Sequence, residues 1–230
     1  MVRGGIQADE SLPGYVTRLS HANGISPPLL MKRAALPIGH EFRSVDLNLL
    51  ASLGASDPMA LATASFAPDA EQGRHQFNGC ALTRPHFLTA GARVCPECVQ
   101  ERGYVDRLWH LRAYAACHRH EKLLIDRCEG CARPIRWLRR KLHQCDCGHV
   151  WDPGDQAPPV VVEISSRFAE AAPYTDADPR RTLAGLITIV WFFGCSGFAD
   201  PRRRGVVARC AADIDVAVGV LTQGAPFITD

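Results

Sequence analysis

The chain lacks any apolar stretch long enough to cross a bilayer. Its most apolar run, residues 183–193, is far shorter than the roughly 20 residues a spanning helix needs. The opening MVRGGIQADESLPG has no apolar core of the kind that marks a signal peptide. Neither sign of charge dominates, with 26 basic residues against 24 acidic ones and a formal net charge of +2. A uniformly basic nucleic-acid binder is therefore excluded, and any contact with phosphate has to come from local patches. The motifs H-x-E and HExxH, which serve open catalytic zinc sites, are missing as well. Apolar residues make up an ordinary 47% of the chain, which argues against both wholesale disorder and a membrane protein. A cytoplasmic protein of one or two domains is expected.

What is present is cysteine in pairs. Seven of the ten cysteines fall between Cys95 and Cys147, while Cys80, Cys195 and Cys210 are scattered. With one histidine they form four close pairs: Cys95/Cys98, Cys117/His120, Cys128/Cys131 and Cys145/Cys147. A C-x2-C or C-x2-H pair closes on one ion through a single tight turn, and two such pairs complete a tetrahedron. In a reducing compartment paired cysteines bind metal more often than they cross-link. The reading is two structural Zn2+ sites, with sequential pairing preferred and a cross-braced arrangement left open. His120 is chosen over the neighbouring His118 because its spacing matches the other pairs. Four protein ligands per ion leave no position for water or substrate, so the sites are structural and no enzyme is expected. With seven ligand thiolates and two dications, the formal +2 becomes about −1.

The fold class expected is mainly α with small zinc-stabilised β-ribbons. The organisation is a helical, helix-turn-helix-like domain over 8–68, a linker over 69–94, a tandem zinc region over 95–150 and a C-terminal helical region over 160–230. Leu12, Val16 and Leu19 have helical spacing and Asn23-Gly24 stops them. Ser26 with Pro27 starts a second helix carrying Lys32 and Arg33, which with Arg18 offer phosphate-binding charge. Two further helices are expected over 46–53 and from Ser56 or Asp57 to Ser65. Helical character is expected over 99–116, where Tyr104, Leu108, Leu111 and Tyr114 have near-helical spacing. A short helix is expected over 164–171, capped by Ser165 or Ser166, with two more over 180–193 and 201–221.

Arg133, Arg136, Arg139, Arg140 and Lys141 surround Ile135, Trp137 and Leu138 between the last two cysteine pairs. They read either as a phosphate-contacting ribbon with an aromatic side chain or as a solvated hairpin face. Arg202, Arg203 and Arg204 stand at a helix start, an unfavourable place for positive charge, and are candidate contacts for phosphate or an acidic partner.

Glu10-Ser-Leu-Pro-Gly-Tyr-Val-Thr-Arg-Leu19 and Ala22-Asn-Gly-Ile-Ser26 resemble the N-terminal signature of the TniQ family. Cys95-Pro-Glu-Cys98, Trp109, the pair ending at His120, Leu123 and Cys128-Glu-Gly-Cys131 are similar to its zinc region. The resemblance covers roughly residues 8–150. It implies a target-selection factor of bacterial transposons that links target recognition to an AAA+ ATPase and through it to the transposase. The target component would be DNA itself or, as in some members, a CRISPR effector complex. DNA would be met directly or through the complex, no membrane is involved, and a homodimer stays open. The resemblance also implies a true helix-turn-helix over about residues 11–36. Departures are Gly14-Tyr15, where many members have serine and tryptophan, and the shortened pair Cys145-Asp-Cys147. The runner-up is a stand-alone zinc-containing helix-turn-helix DNA-binding regulator.

Metal binding on this reading is folding free energy. Cys128→Ser should bind one zinc ion fewer and melt at lower temperature, checked by metal analysis and thermal denaturation. Unchanged zinc content and melting would remove Cys128 from the ligand set.

Overall fold

The computed structural model describes residues 2–36, 47–65, 75–77, 80–88 and 91–170. The helices expected over 180–193 and 201–221, with Arg202, Arg203 and Arg204, lie outside the described residues.

Among the described residues the N-terminal unit has four short helices: α1 (Leu12–Ala22), α2 (Pro27–Arg33), α3 (Asn48–Gly54) and α4 (Pro58–Thr63). Local chemistry sets their ends. The Ser11 hydroxyl accepts from Gly14 N at 3.2 Å to cap α1, and Gly24 turns the chain at φ +64°. Asp57 caps α4 by accepting from the Met59 and Ala60 amides. Leu12, Tyr15, Val16 and Leu19 of α1 meet Leu30 and Met31 of α2, Leu50 of α3 and Leu61 of α4 in one core.

The second unit winds around the cysteines. It holds a hairpin of β1 (His75–Phe77) and β2 (Cys80–Leu82), then α5 (Pro96–Arg102), then a second hairpin of β3 (Ala116–Cys117) and β4 (Lys122–Leu123). The helix α6 (Pro159–Glu170) packs on β3, and Phe168 meets Tyr114 with ring centroids 6.5 Å apart.

The structure corrects three expectations. The helix expected over 99–116 ends at Arg102, because Gly103 takes the left-handed conformation at φ +70°. Asp106 then caps a short 3-10 turn over Arg107–His110, and Leu108, Leu111 and Tyr114 are buried without sharing a helix face. The described part of the expected 69–94 linker holds the first hairpin and puts Phe77, Leu82, Phe87, Leu88 and Val94 into the core. The last described helix begins at Pro159 rather than Ile164, so Ser165 lies mid-helix and buried instead of at a cap.

The two units are joined by paired backbone. Ser11 N donates to Val105 O at 2.9 Å and Arg107 N to Asp9 O at 2.8 Å, with Glu10 opposite Asp106. Glu10 is fully buried and receives Arg18 at 2.6 and 2.8 Å, so Arg18 holds this joint and is not a free phosphate contact. A third tie comes from the far end of the chain: Thr17 Oγ1 donates to Trp137 O at 3.4 Å, and Leu138 packs on the N-terminal core.

Gly14 lets the two units approach closely. A Cβ there would lie 2.7 Å from Val105 Cβ and 2.9 Å from Ser11 Oγ. Overpacking of this kind costs about 1–3 kcal/mol, against a gain of about 1 kcal/mol from replacing a helical glycine. Gly14→Ala should therefore destabilise the chain by about 1 kcal/mol in denaturant unfolding. A stabilised variant would mean that the joint has slack.

Candidate metal centre

The first ligand set is assembled from one helix start and one hairpin. Cys95 precedes α5 and Pro96 sets its first position, so Cys98 falls within the first turn. Cys117 ends β3, and a tight turn closed by Glu121 N donating to Cys117 O at 2.8 Å brings His120 back over it. His120 Nδ1 lies 3.5, 3.3 and 3.5 Å from the sulfurs of Cys95, Cys98 and Cys117, and Cys98 Sγ lies 3.4 Å from Cys117 Sγ.

Those separations can be tested against an ion. Zinc–sulfur bonds of about 2.3 Å and zinc–nitrogen bonds of about 2.0 Å give tetrahedral edges of roughly 3.8 Å and 3.5 Å. The four donors therefore stand at nearly the corner-to-corner distances a tetrahedral ion requires. Three mutually touching thiols also resist ionising together. Cys117, accepting from Cys95 and Cys98, is held far below the ordinary thiol range. Hydrogen bonding to Cys117 and burial push Cys95 up to about 12, and Cys117 and Cys95 raise Cys98 in the same way. A dication at the centre would reverse this and stabilise all three thiolates.

One residue outside the spacing pattern completes the set. His120 Nε2 donates to Glu101 Oε1 at 3.0 Å, which assigns the tautomer that leaves Nδ1 free for a metal. The clue lay in the sequence, since Glu101 is three residues beyond Cys98 and so on the same face of α5. His118, the rival ligand, is turned away, with Nδ1 2.6 Å from the Tyr114 hydroxyl.

The second set gathers Cys128, Cys131, Cys145 and Cys147, whose sulfurs all lie within 4.8 Å of one another. Cys128 and Cys131 flank a turn closed by Ala132 N donating to Cys128 O at 2.7 Å. Cys145 and Cys147 sit at a hairpin tip where Gly148, at φ +95°, permits the short C-x-C spacing. Cys128 meets Cys147, and Cys131 meets Cys145, each at 3.7 Å between sulfurs. The pairing is thus sequential in both sets. Either could hold a metal ion, and in neither does the ligand set leave an open position.

The basic segment between Cys131 and Cys145 matches neither a phosphate-contacting ribbon nor a solvated hairpin face throughout. Arg139 is only 4% exposed: its guanidinium donates to Leu142 O at 3.0 and 3.3 Å and to Arg136 O at 2.9 Å, and lies 5.0 Å from the Trp151 ring centre. Burial lowers its pKa to about 10. It is a structural cation, not a phosphate contact. Trp137 is buried too, stacked on His110 at 3.6 Å, so it offers no face to a base. Arg133 is exposed beside Cys131, and its backbone amide, then its guanidinium, help hold the Cys131 thiol down at about 6. Arg136, Arg140 and Lys141 are exposed, as are Lys32 and Arg33 at the end of α2. Among the described residues no helix is long and apolar enough to cross a membrane.

Losing a residue that orients a ligand histidine typically costs 10–100-fold in metal affinity. Glu101→Ala should weaken the first site by that factor in competition with a chromophoric chelator, leaving the second site as internal control. Glu101→Gln keeps an acceptor and should recover part of the loss. Equal affinity in all three proteins would make Glu101 a bystander.

A family model described as TniQ matches residues 2–124, just over half of the chain. It takes in the N-terminal helices and the whole first ligand set, and stops before the second set, short of the expected end near residue 150. No curated protein matches the chain. On the strength of that match, with the helix pair and the Cys95–His120 cluster inside it, the chain belongs to the TniQ family, which ties it to DNA transposition.

Proposed function

We propose that this protein is a non-enzymatic adaptor in bacterial DNA transposition. It would link target recognition, by DNA or by an RNA-guided CRISPR effector complex, to an AAA+ ATPase and through it to the transposase. Two structural Zn2+ ions in the two ligand sets would hold its surfaces in place, and the compartment would be the cytoplasm. The observation that carries this reading is that both sets are closed, with four protein ligands each, inside the family that serves transposition. A closed ion supplies shape rather than chemistry. Within this reading α1 and α2 act as the helix-turn-helix, with Lys32 and Arg33 at the exposed end of α2.

The stand-alone DNA-binding regulator is less well supported. Arg18 and Arg139 are engaged within the chain and Arg133 lies beside the second ligand set, which leaves Arg136, Arg140 and Lys141 as the exposed cations of the basic segment away from a ligand sulfur. Each phosphate neutralised contributes about 0.9 to the slope of log affinity against log salt. If those three side chains touch phosphates, the triple alanine variant should lose about 2.7 from that slope on random duplex. As an adaptor, the protein should form an ATP-dependent complex with its AAA+ ATPase, seen by size-exclusion chromatography, and the triple variant should leave the weak duplex slope unchanged. Failure to form that complex, together with steep and sequence-dependent binding to DNA alone, would favour the regulator.

A further inference from the structure

The two ligand sets are chemically unequal. In the first, Cys95, Cys98 and Cys117 are 1%, 2% and 1% exposed, and the fourth donor is an imidazole. In the second, Cys128 alone is buried, Cys131 and Cys145 are half-buried and Cys147 is exposed. Around a dication the first set carries a net charge of −1 and the second, with four thiolates, −2. Sulfur oxidation follows thiolate character and access, and both are greater in the second set. The geometry there also supplies a partner for the reactive sulfur: Cys147 at the surface touches buried Cys128 at 3.7 Å, on the opposite turn. Closing that contact to a disulfide of about 2.05 Å asks for movement at the hairpin tip around Gly148, which has the freest backbone of the segment.

We propose that the second set is a peroxide-responsive site, oxidised at Cys147 and Cys128 while the first set persists. The proposal rests on both sets holding zinc. The Cys147 thiolate attacks the O–O bond of hydrogen peroxide, giving a sulfenic acid and hydroxide. The Cys128 thiolate then displaces the second hydroxide from that sulfur, and the S–S bond forms. Two electrons pass from the two sulfurs to the peroxide, which leaves as two waters after taking up two protons. The disulfide withdraws two of the four ligands, so the second ion is released. Cys131 and Cys145 stay behind as two sulfurs without an ion.

The test begins with the reduced, full-length protein and a count of its zinc. Fewer than two ions per chain would defeat the zinc reading itself, whatever the response to peroxide. With two ions present, one equivalent of hydrogen peroxide should release about one ion per chain to a chromophoric chelator. Peptide mass spectrometry should then recover Cys128 linked to Cys147, with Cys95, Cys98 and Cys117 unmodified. Thiol reductant and added zinc should restore the starting state. With a sulfenic-acid trap present during the reaction, Cys147 should carry the adduct and Cys95, Cys98 and Cys117 should not. Release of both ions at one rate, or oxidation of the first set before the second, would overturn the proposal.

Discussion

Three thiols and an imidazole pressed together at the edge of a core could hold a cation, and the elements of the second unit meet at that point. Cys95, Cys98 and Cys117 are each almost wholly buried and touch His120 at 3.3–3.5 Å. Without positive charge such a cluster can hold about one thiolate, since each further ionisation meets its neighbours' charge in a poorly solvated site. With a dication the same contacts become four bonds that fasten the start of α5 to the hairpin of β3 and β4. Short elements then suffice. A seven-residue helix and two-residue strands could not form alone, because helix nucleation is unfavourable and an isolated hairpin is marginal.

The N-terminal helices depend on that same fixed point at one remove. Their joint to the metal unit is the strip from Asp9 to Ser11, paired with residues 105–107, where Gly14 lets α1 lie directly on Val105. A buried carboxylate would be costly in this strip, and desolvation does raise the pKa of Glu10; Arg18 offsets that cost through two short hydrogen bonds. The departure of Gly14-Tyr15 from the common serine and tryptophan has its physical reason here. Gly14 makes room for Val105, and Tyr15 fills the N-terminal core against Gly54, where a Cβ would overlap its hydroxyl.

The parts legible in the sequence were those decided by near neighbours. Closely spaced cysteine pairs, Asp57 as a cap, and Asn23-Gly24 as a stop all act within one turn, so composition and spacing suffice to place them. The parts that were not legible depend on what lies across the core. Leu108, Leu111 and Tyr114 keep helix-like spacing, yet an irregular chain wrapped around a buried centre uses the same apolar residues. Gly103 was the stop signal, and periodicity outweighed it. Arg139 and Trp137 look like surface residues by type. Their burial is set by the carbonyls of Arg136 and Leu142, the ring of Trp151 and the face of His110, all of which only the folded chain brings together.

That burial bears on how such a protein would recognise anything. Arg139, turned inward, stiffens the segment between Cys131 and Cys145, with Trp137 in the core of the metal unit and Leu138 against the N-terminal core. The exposed cations left in this segment and on α2 belong to two units of the chain. Divided charge gives weak, additive attraction to phosphate that salt readily screens. Rigid joints do the opposite of adaptable, affinity-seeking surfaces: they fix the relative position of distant faces at little entropic cost on binding. On the proposed reading, that rigidity would serve to hold two partners in register.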